Sequence, residues 1–266
     1  MVEQTLSTLY TILMKLTELA HFLYQRLDMA PFDGVDISLN GLQVGPKERE
    51  IRRVAVAVDA CMDSFEAAAA LGADLLLVHH GLFWGRPLAI VGAHYDRVKF
   101  LMDHDLSLFA VHLPLDAHPE LGNNAQMAKL LGVRTLHPFG SWKGLNVGFH
   151  GELPEPSDAQ TLAQALGFSV ADGLKILPFG PDKIRTVGIV SGGAADDVYG
   201  ALDLGLDAFI TGECEHQVYH DCEERGITMI CGGHYASEVF GVQAVGRMLQ
   251  TELGLETAFV AIPTAL

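Results

Sequence analysis

The chain has 266 residues, 49% of them hydrophobic and 19% charged, with 33 acidic against 17 basic side chains for a formal charge of −16. That length supports one large or two small domains around a well-buried core, and the composition excludes a disordered chain. The acidic balance argues against nucleic acid or an anionic membrane as partner, because both need a basic surface and the densest basic stretch, KEREIRR at 47–53, is diluted by glutamates.

Leu6, Leu9, Leu13, Leu16, Ala20, Leu23 and Leu27 recur at spacings of three and four, with Lys15, Glu18 and His21 among them. This is the pattern of an amphipathic helix, not of a signal peptide. No apolar run is long enough to cross a bilayer. Four cysteines (Cys61, Cys214, Cys222 and Cys231) form no CxxC pair and are too few for a disulfide framework, so reduced thiols in a cytoplasmic protein are expected.

An internal repeat follows. Residues 51–80, IRRVAVAVDACMDSFEAAAALGADLLLVHH, align without a gap to 184–213, IRTVGIVSGGAADDVYGALDLGLDAFITGE. Eight positions are identical: Ile51/Ile184, Arg52/Arg185, Val54/Val187, Asp63/Asp196, Ala68/Ala201, Leu71/Leu204, Gly72/Gly205 and Asp74/Asp207. Composition alone would yield roughly two. Each copy reads as strand, Ala-rich helix ending at Gly72 or Gly205, and a short buried strand. Each is followed by a further helix, a strand, and a histidine four residues before an acid: His112 and Asp116, then His234 and Glu238.

Strands alternating with helices predict an α/β fold of two related halves facing one another across a shared cleft. The expected organisation is a first half with the N-terminal helix at 1–131, a proline-rich connecting region at 132–183 holding one strand in GLNVGFHGEL, and a second half at 184–266 whose C-terminal helix and strand pack back. Ligands of such sheets collect beyond the carboxyl ends of the strands. His79 and His80, His112 and Asp116, Glu213, and His234 and Glu238 all fall there.

The adjacent pair His79 and His80 is the strongest single signal. Successive side chains of a strand point to opposite sides, so a buried-histidine explanation would have to hold twice. Two ions about 3.5–4 Å apart explain the pair, with a carboxylate such as Glu238 bridging them. GGHYASEVFGVQAVGRMLQ opens a helix on which His234 and Glu238 share a face. Asp116 lies in HLPLDAHPELGNN, which has two prolines and no helical period and reads as a loop. Three histidines and two carboxylates suit Zn, Fe, Mn or Ni, whereas Mg or Ca prefer oxygen throughout.

A rival cluster packs Cys214, His216, His220 and Cys222 into ECEHQVYHDC, but its cysteines fall on different faces of one helix, so a solvated helix without its own metal is expected. VSGGAAD at 190–196 lacks a Walker lysine and reads as a tight strand-to-helix turn, and no serine sits in a GxSxG elbow. Cys61 follows a strand, with no specific base implied.

DISLNGLQVG (36–45), LLLVHHGLFWG (75–85), VHLPLDAHPELGNN (111–124), DAFITGE (207–213) and GGHYASE (232–238) together resemble the GTP cyclohydrolase I type 2 homologue family, also called Nif-like dinuclear metal centre proteins. The resemblance implies a Nif-like fold and a site for two divalent metal ions on His79, His80, Asp116, His234 and Glu238, with Glu238 as the bridge. It makes His112 an outer residue of the site, not a ligand. It also implies a toroidal homohexamer whose metal sites face an internal cavity, and an extra domain between the halves in some members that this chain lacks. The expected function is metal-dependent hydrolysis of a small molecule, a nucleotide or phosphoester, with His112 or Glu213 carrying the proton. The alternative is a non-enzymatic metal-binding or regulatory scaffold.

Overall fold

The computed structural model describes residues 14–266. Leu6, Leu9 and Leu13 of the expected N-terminal helix lie outside the described residues. The first part of the chain runs β1 (Met14–Lys15), α1 (Leu16–Arg26), β2 (Gly41–Val44), β3 (Glu50–Ile51), β4 (Arg53–Asp59), α2 (Met62–Ala70), β5 (Leu75–His80), α3 (Gly92–Asp103), β6 (Ser107–Ala110), α4 (Leu113–Ala117) and α5 (Asn123–Leu130). The remainder runs β7 (Arg134–Trp142), β8 (Leu145–Ser157), α6 (Ala159–Ala165), β9 (Lys175–Pro178), β10 (Ile184–Ile189), α7 (Val198–Asp203), β11 (Ala208–Thr211), α8 (Tyr219–Arg225), β12 (Thr228–Cys231), α9 (His234–Leu253) and β13 (Glu256–Phe259).

The N-terminal helix starts later than its apolar spacing predicts. β1 pairs antiparallel with β3, and α1 begins only at Leu16, burying Leu16, Leu19 and Leu23.

Two sheets carry the fold. One has the order β13-β4-β5-β6-β2 and the other β7-β8-β10-β11-β12-β9. In both, three parallel strands sit side by side (β4-β5-β6 and β10-β11-β12), closed by one antiparallel strand, β2 or β9. The repeat thus folds twice into the same strand–helix–strand unit with matching strand order. One identity in it has a direct cause. Asp74 Oδ2 accepts the backbone N–H groups of Arg52 and Arg53 at 2.8 and 3.1 Å. Asp207 Oδ2 accepts those of Arg185 and Thr186 at 2.7 and 3.0 Å. Each aspartate ties the end of its helical crossover to the start of the preceding strand. Gly72 and Gly205 take the left-handed conformation just after each helix, at φ 65 and 67°, where a side chain would be strained.

Both sheets are covered on both faces, which explains the near-continuous apolar runs. In β4, Val54, Val56 and Val58 pack toward α1 and α9, while Ala55 and Ala57 pack toward α2 and α3. α9 serves both sheets: Val242, Val245 and Leu249 join the core of the first, and Ala236 and Phe240 pack on that of the second. β13 then pairs parallel with β4, so the C-terminal strand returns to the first sheet. The stretch 132–183 holds more than the single strand predicted from GLNVGFHGEL. β7 and β8 form a long antiparallel pair on the second sheet, and β9 closes its far edge. Pro138 and Pro154 sit within these strands, and their disruption of the alternating pattern hid the pair.

Candidate metal centre

β5 ends in the middle of the first sheet with His79 and His80. His79 is fully buried, and its Nδ1 donates to the Val111 carbonyl at 2.9 Å, leaving Nε2 with a free lone pair. His80 Nδ1 lies 2.8 Å from Asp59 Oδ1, on the neighbouring strand and in register with it. The expectation of opposite-facing side chains fails here. The two ring centroids are 4.7 Å apart, and neither residue has a positive φ. At the last positions of a strand the imidazoles extend past the sheet and converge without backbone strain.

α9 delivers His234 and Glu238 from the second part of the chain, on one helical face as their spacing predicts. Gly233 makes the entry possible: its φ is 100°, and a Cβ there would stand 2.1 Å from the Asp172 carbonyl oxygen. His234 Nδ1 is held by the Glu213 carboxylate, and its Nε2 lies 3.3 Å from Glu238 Oε1. His112 repeats the arrangement, with Nδ1 held 3.0 Å from Asp36 Oδ1. All four histidines therefore have Nδ1 tied to an oxygen and Nε2 available, the orientation that fixes ligand tautomers in metal sites.

Asp116 is not in a loop. It lies on the five-residue helix α4, which is too short to show a period and has a proline in its first turn. Its Oδ1 accepts from Asn123 Nδ2 at 2.9 Å and Ser191 Oγ at 2.8 Å, and its Oδ2 stands 3.4 Å from His79 Nε2.

These atoms fall into groups whose potential ligand atoms lie within 4.8 Å of one another: His79, Asp116 and Glu238; His80, His234 and Glu238; and His79, His80 and His112. Glu238 belongs to the first two. Within the cluster the histidines and carboxylates offset one another's charge. Burial opposes charge on His79, yet Asp116 and Glu238 raise its pKa well above the usual histidine range. Burial likewise opposes charge on Glu238, yet His79 and His80 hold its carboxyl well below the ordinary value. His79 Nε2 and Glu238 Oε2 are buried and make no hydrogen bond, although Asp116 Oδ2 stands 3.4 Å from the first and His80 Nε2 3.2 Å from the second, an arrangement that a further group between them would complete. Gly192 leaves room beside them, since a Cβ there would meet Glu238 Oε1 at 2.3 Å and His234 Nε2 at 3.3 Å. The donor set fits a borderline transition metal.

The residues that brace the site were not legible as such. Asp36 lies inside DISLNGLQVG and Asp59 ends a strand, but nothing local signals that they reach His112 and His80. Asn123 and Ser191 carry no chemical signature either. VSGGAAD forms the expected turn, with Gly192 against Glu238. The ECEHQVYHDC segment stands apart: Cys222 is buried in the apolar core, His220 is exposed beside Glu223, and no cysteine joins a ligand group among the described residues. A cavity of about 720 Å3 opens next to the centre, bordered by His80, His112, His234, Asp116, Glu238 and Trp84.

A profile of the Duf34/NIF3 (NGG1p interacting factor 3) family matches residues 14–265. The chain belongs to this family. Among Duf34/NIF3 relatives, a Deinococcus radiodurans protein named GTP cyclohydrolase 1 type 2 homolog is 46% identical over 231 residues, covering 87% of this chain and 88% of that one. An Archaeoglobus fulgidus protein of the same name is 44% identical over 253 residues, covering 95% and 100%. The crystal structure of the Thermus thermophilus protein TTHA1606 superposes with a TM-score of 0.84 at 39% identity, covering 95% of this chain and all of that one (100%). No helix among the described residues is long and apolar enough to cross a membrane.

Proposed function

We propose that this Duf34/NIF3 chain is a dinuclear metal-dependent hydrolase. The sharing of Glu238 by two ligand groups carries the reading. One ion would be held by His79, Asp116 and Glu238, the other by His80, His234 and Glu238, with Zn, Fe, Mn or Ni as the metal. Two such ions would supply Lewis acidity and lower the pKa of a water toward neutrality. His112 borders the cavity and is backed by Asp36, which suits it to accept and return a proton there. Glu213 holds His234 through Nδ1, so its part is to orient that imidazole.

The open cavity favours catalysis over a closed structural site. The complete burial of His79 supports the alternative, a non-enzymatic metal-binding scaffold. A homo-oligomer, the toroidal hexamer implied by the family resemblance, is part of the proposal. Exposed Ile37, Leu39 and Leu88 line a shallow groove suited to a subunit contact. A cytoplasmic location agrees with four free cysteines.

Metal analysis of the purified protein tests the centre, followed by a substrate panel with the preferred metal restored. The name carried by the relatives puts ring opening of GTP on that panel. Two ions per chain and turnover that falls sharply in His112→Asn support the hydrolase. Two ions without turnover across the panel favour the scaffold.

A further inference from the structure

The cavity of about 720 Å3 is large enough for a nucleoside-sized molecule. Its wall carries the carboxylates of Asp36, Asp116, Asp196, Asp197, Glu215 and Glu238, with no lysine or arginine among the described residues. Asp36 is balanced by His112, and Asp116 and Glu238 face His79. Asp196, Asp197 and Glu215 have no such counterpart. Asp196 and Glu215 share the side-chain amide of Gln217. Burial and the adjacent Asp196 push Asp197 up to about 6, as befits a carboxyl facing no cation. Lys143 is not part of the wall: its Nζ donates to the Val35 carbonyl at 3.1 Å and lies 5.8 Å from the Trp142 ring centroid, a single cation at the rim against the three carboxylates.

The same wall is aromatic. Trp84 is anchored by a 2.9 Å hydrogen bond from Nε1 to the Gly81 carbonyl and lies 5.9 Å from the His80 ring and 5.0 Å from that of His112. Trp142 stands half-exposed on the wall at the end of β7. Glu238, with Oε2 buried 3.2 Å from His80 Nε2, lines the cavity on the side of the metal centre.

We propose that this cavity binds a planar heterocycle without net negative charge, held against Trp84 and Trp142, and that it discriminates against nucleoside polyphosphates. A neutral or cationic ring gains from stacking on indole, and a cationic one also from the surrounding carboxylates. A triphosphate could give one phosphate to the metals, but its others would face Asp196, Asp197 and Glu215. Phosphate sites instead supply guanidinium, ammonium or helix-terminal N–H groups. The proposal rests on the hydrolase reading only for where the reacting centre lies. The selectivity follows from the wall.

Calorimetric titration of the metal-loaded full chain with guanosine, 1-methylnicotinamide and GTP tests it, with metal content measured on the same samples. The two rings should bind at least about tenfold more tightly than GTP. The triple variant Asp196→Asn, Asp197→Asn, Glu215→Gln should narrow that gap at least about tenfold, and Trp142→Ala should weaken both rings at least about fivefold without loss of metal. Tighter binding of GTP, an unchanged gap in the triple variant, or no binding of either ring at millimolar concentration overturns the proposal. If GTP is preferred while two ions are present, only the selectivity fails. If the rings bind a chain that takes up fewer than two ions, the two-ion reading fails and the selectivity stands.

Discussion

Ser191 Oγ donates a buried 2.8 Å hydrogen bond to Asp116 Oδ1, joining the end of a second-sheet strand to the helix that follows β6 of the first. With Asn123 on the same oxygen, the bond leaves Oδ2 as the free face of the carboxylate toward His79. Ser191→Ala should weaken the ion held through Asp116 by about tenfold and destabilise the fold by about 1–2 kcal/mol. The Ser191 backbone keeps its 2.7 Å bond to Asn124, so the turn should survive. Competition with a metal-binding dye, together with thermal unfolding, measures both effects. Unchanged metal affinity would remove Ser191 from the bracing of the site.

Asp197 sets a pH dependence away from the ligands. Its folded pKa is pushed up to about 6 by burial and by Asp196, whereas an unfolded aspartate titrates near 3.9. Between about pH 4 and pH 6 the folded chain therefore holds a proton that the unfolded chain has lost, and stability falls as pH rises through that window. Asp197→Asn should stabilise by about 1–3 kcal/mol above pH 6 and by nothing below pH 4. Denaturant unfolding at pH 4 and at pH 8 checks this. Equal gains at both would show that the asparagine acts by packing, not by charge.

Cys214 and Cys222 should be dispensable for metal. Cys222 is buried in the apolar core beside Val218 and Ile227, and among the described residues neither cysteine belongs to a group of converging ligand atoms. Replacing both with serine should leave metal content unchanged, read by elemental analysis. A fall by one ion per chain would assign the discarded cluster a site.

The fold was legible because the repeat preserves its causes. Asp74 and Asp207 are identical because each caps the same strand start, and Gly72 and Gly205 because each ends a helix in the left-handed conformation. The ligand candidates were legible as chemically conspicuous residues at strand ends. Their partners were not, because Asp36, Asp59, Asn123 and Ser191 act across the fold on residues from 7 to 76 positions away. That His79 and His80 would meet at one site was expected from the sequence; the closeness of their rings, 4.7 Å apart, was not, because a strand's last two residues were treated as if the strand continued. The pairing of β7 with β8 was masked by prolines.

Metal content of Glu238→Gln and His80→Ala, measured side by side, tests the shared centre most directly. Glu238 belongs to both ligand groups, and His80 joins it in only one of the two. Replacing the carboxylate by an amide removes the charge that offsets two cations at close range. Glu238→Gln should therefore lose most of both ions, while His80→Ala should empty one position and leave the other largely filled. Loss of the same single ion in both variants would contradict a two-ion centre bridged by Glu238.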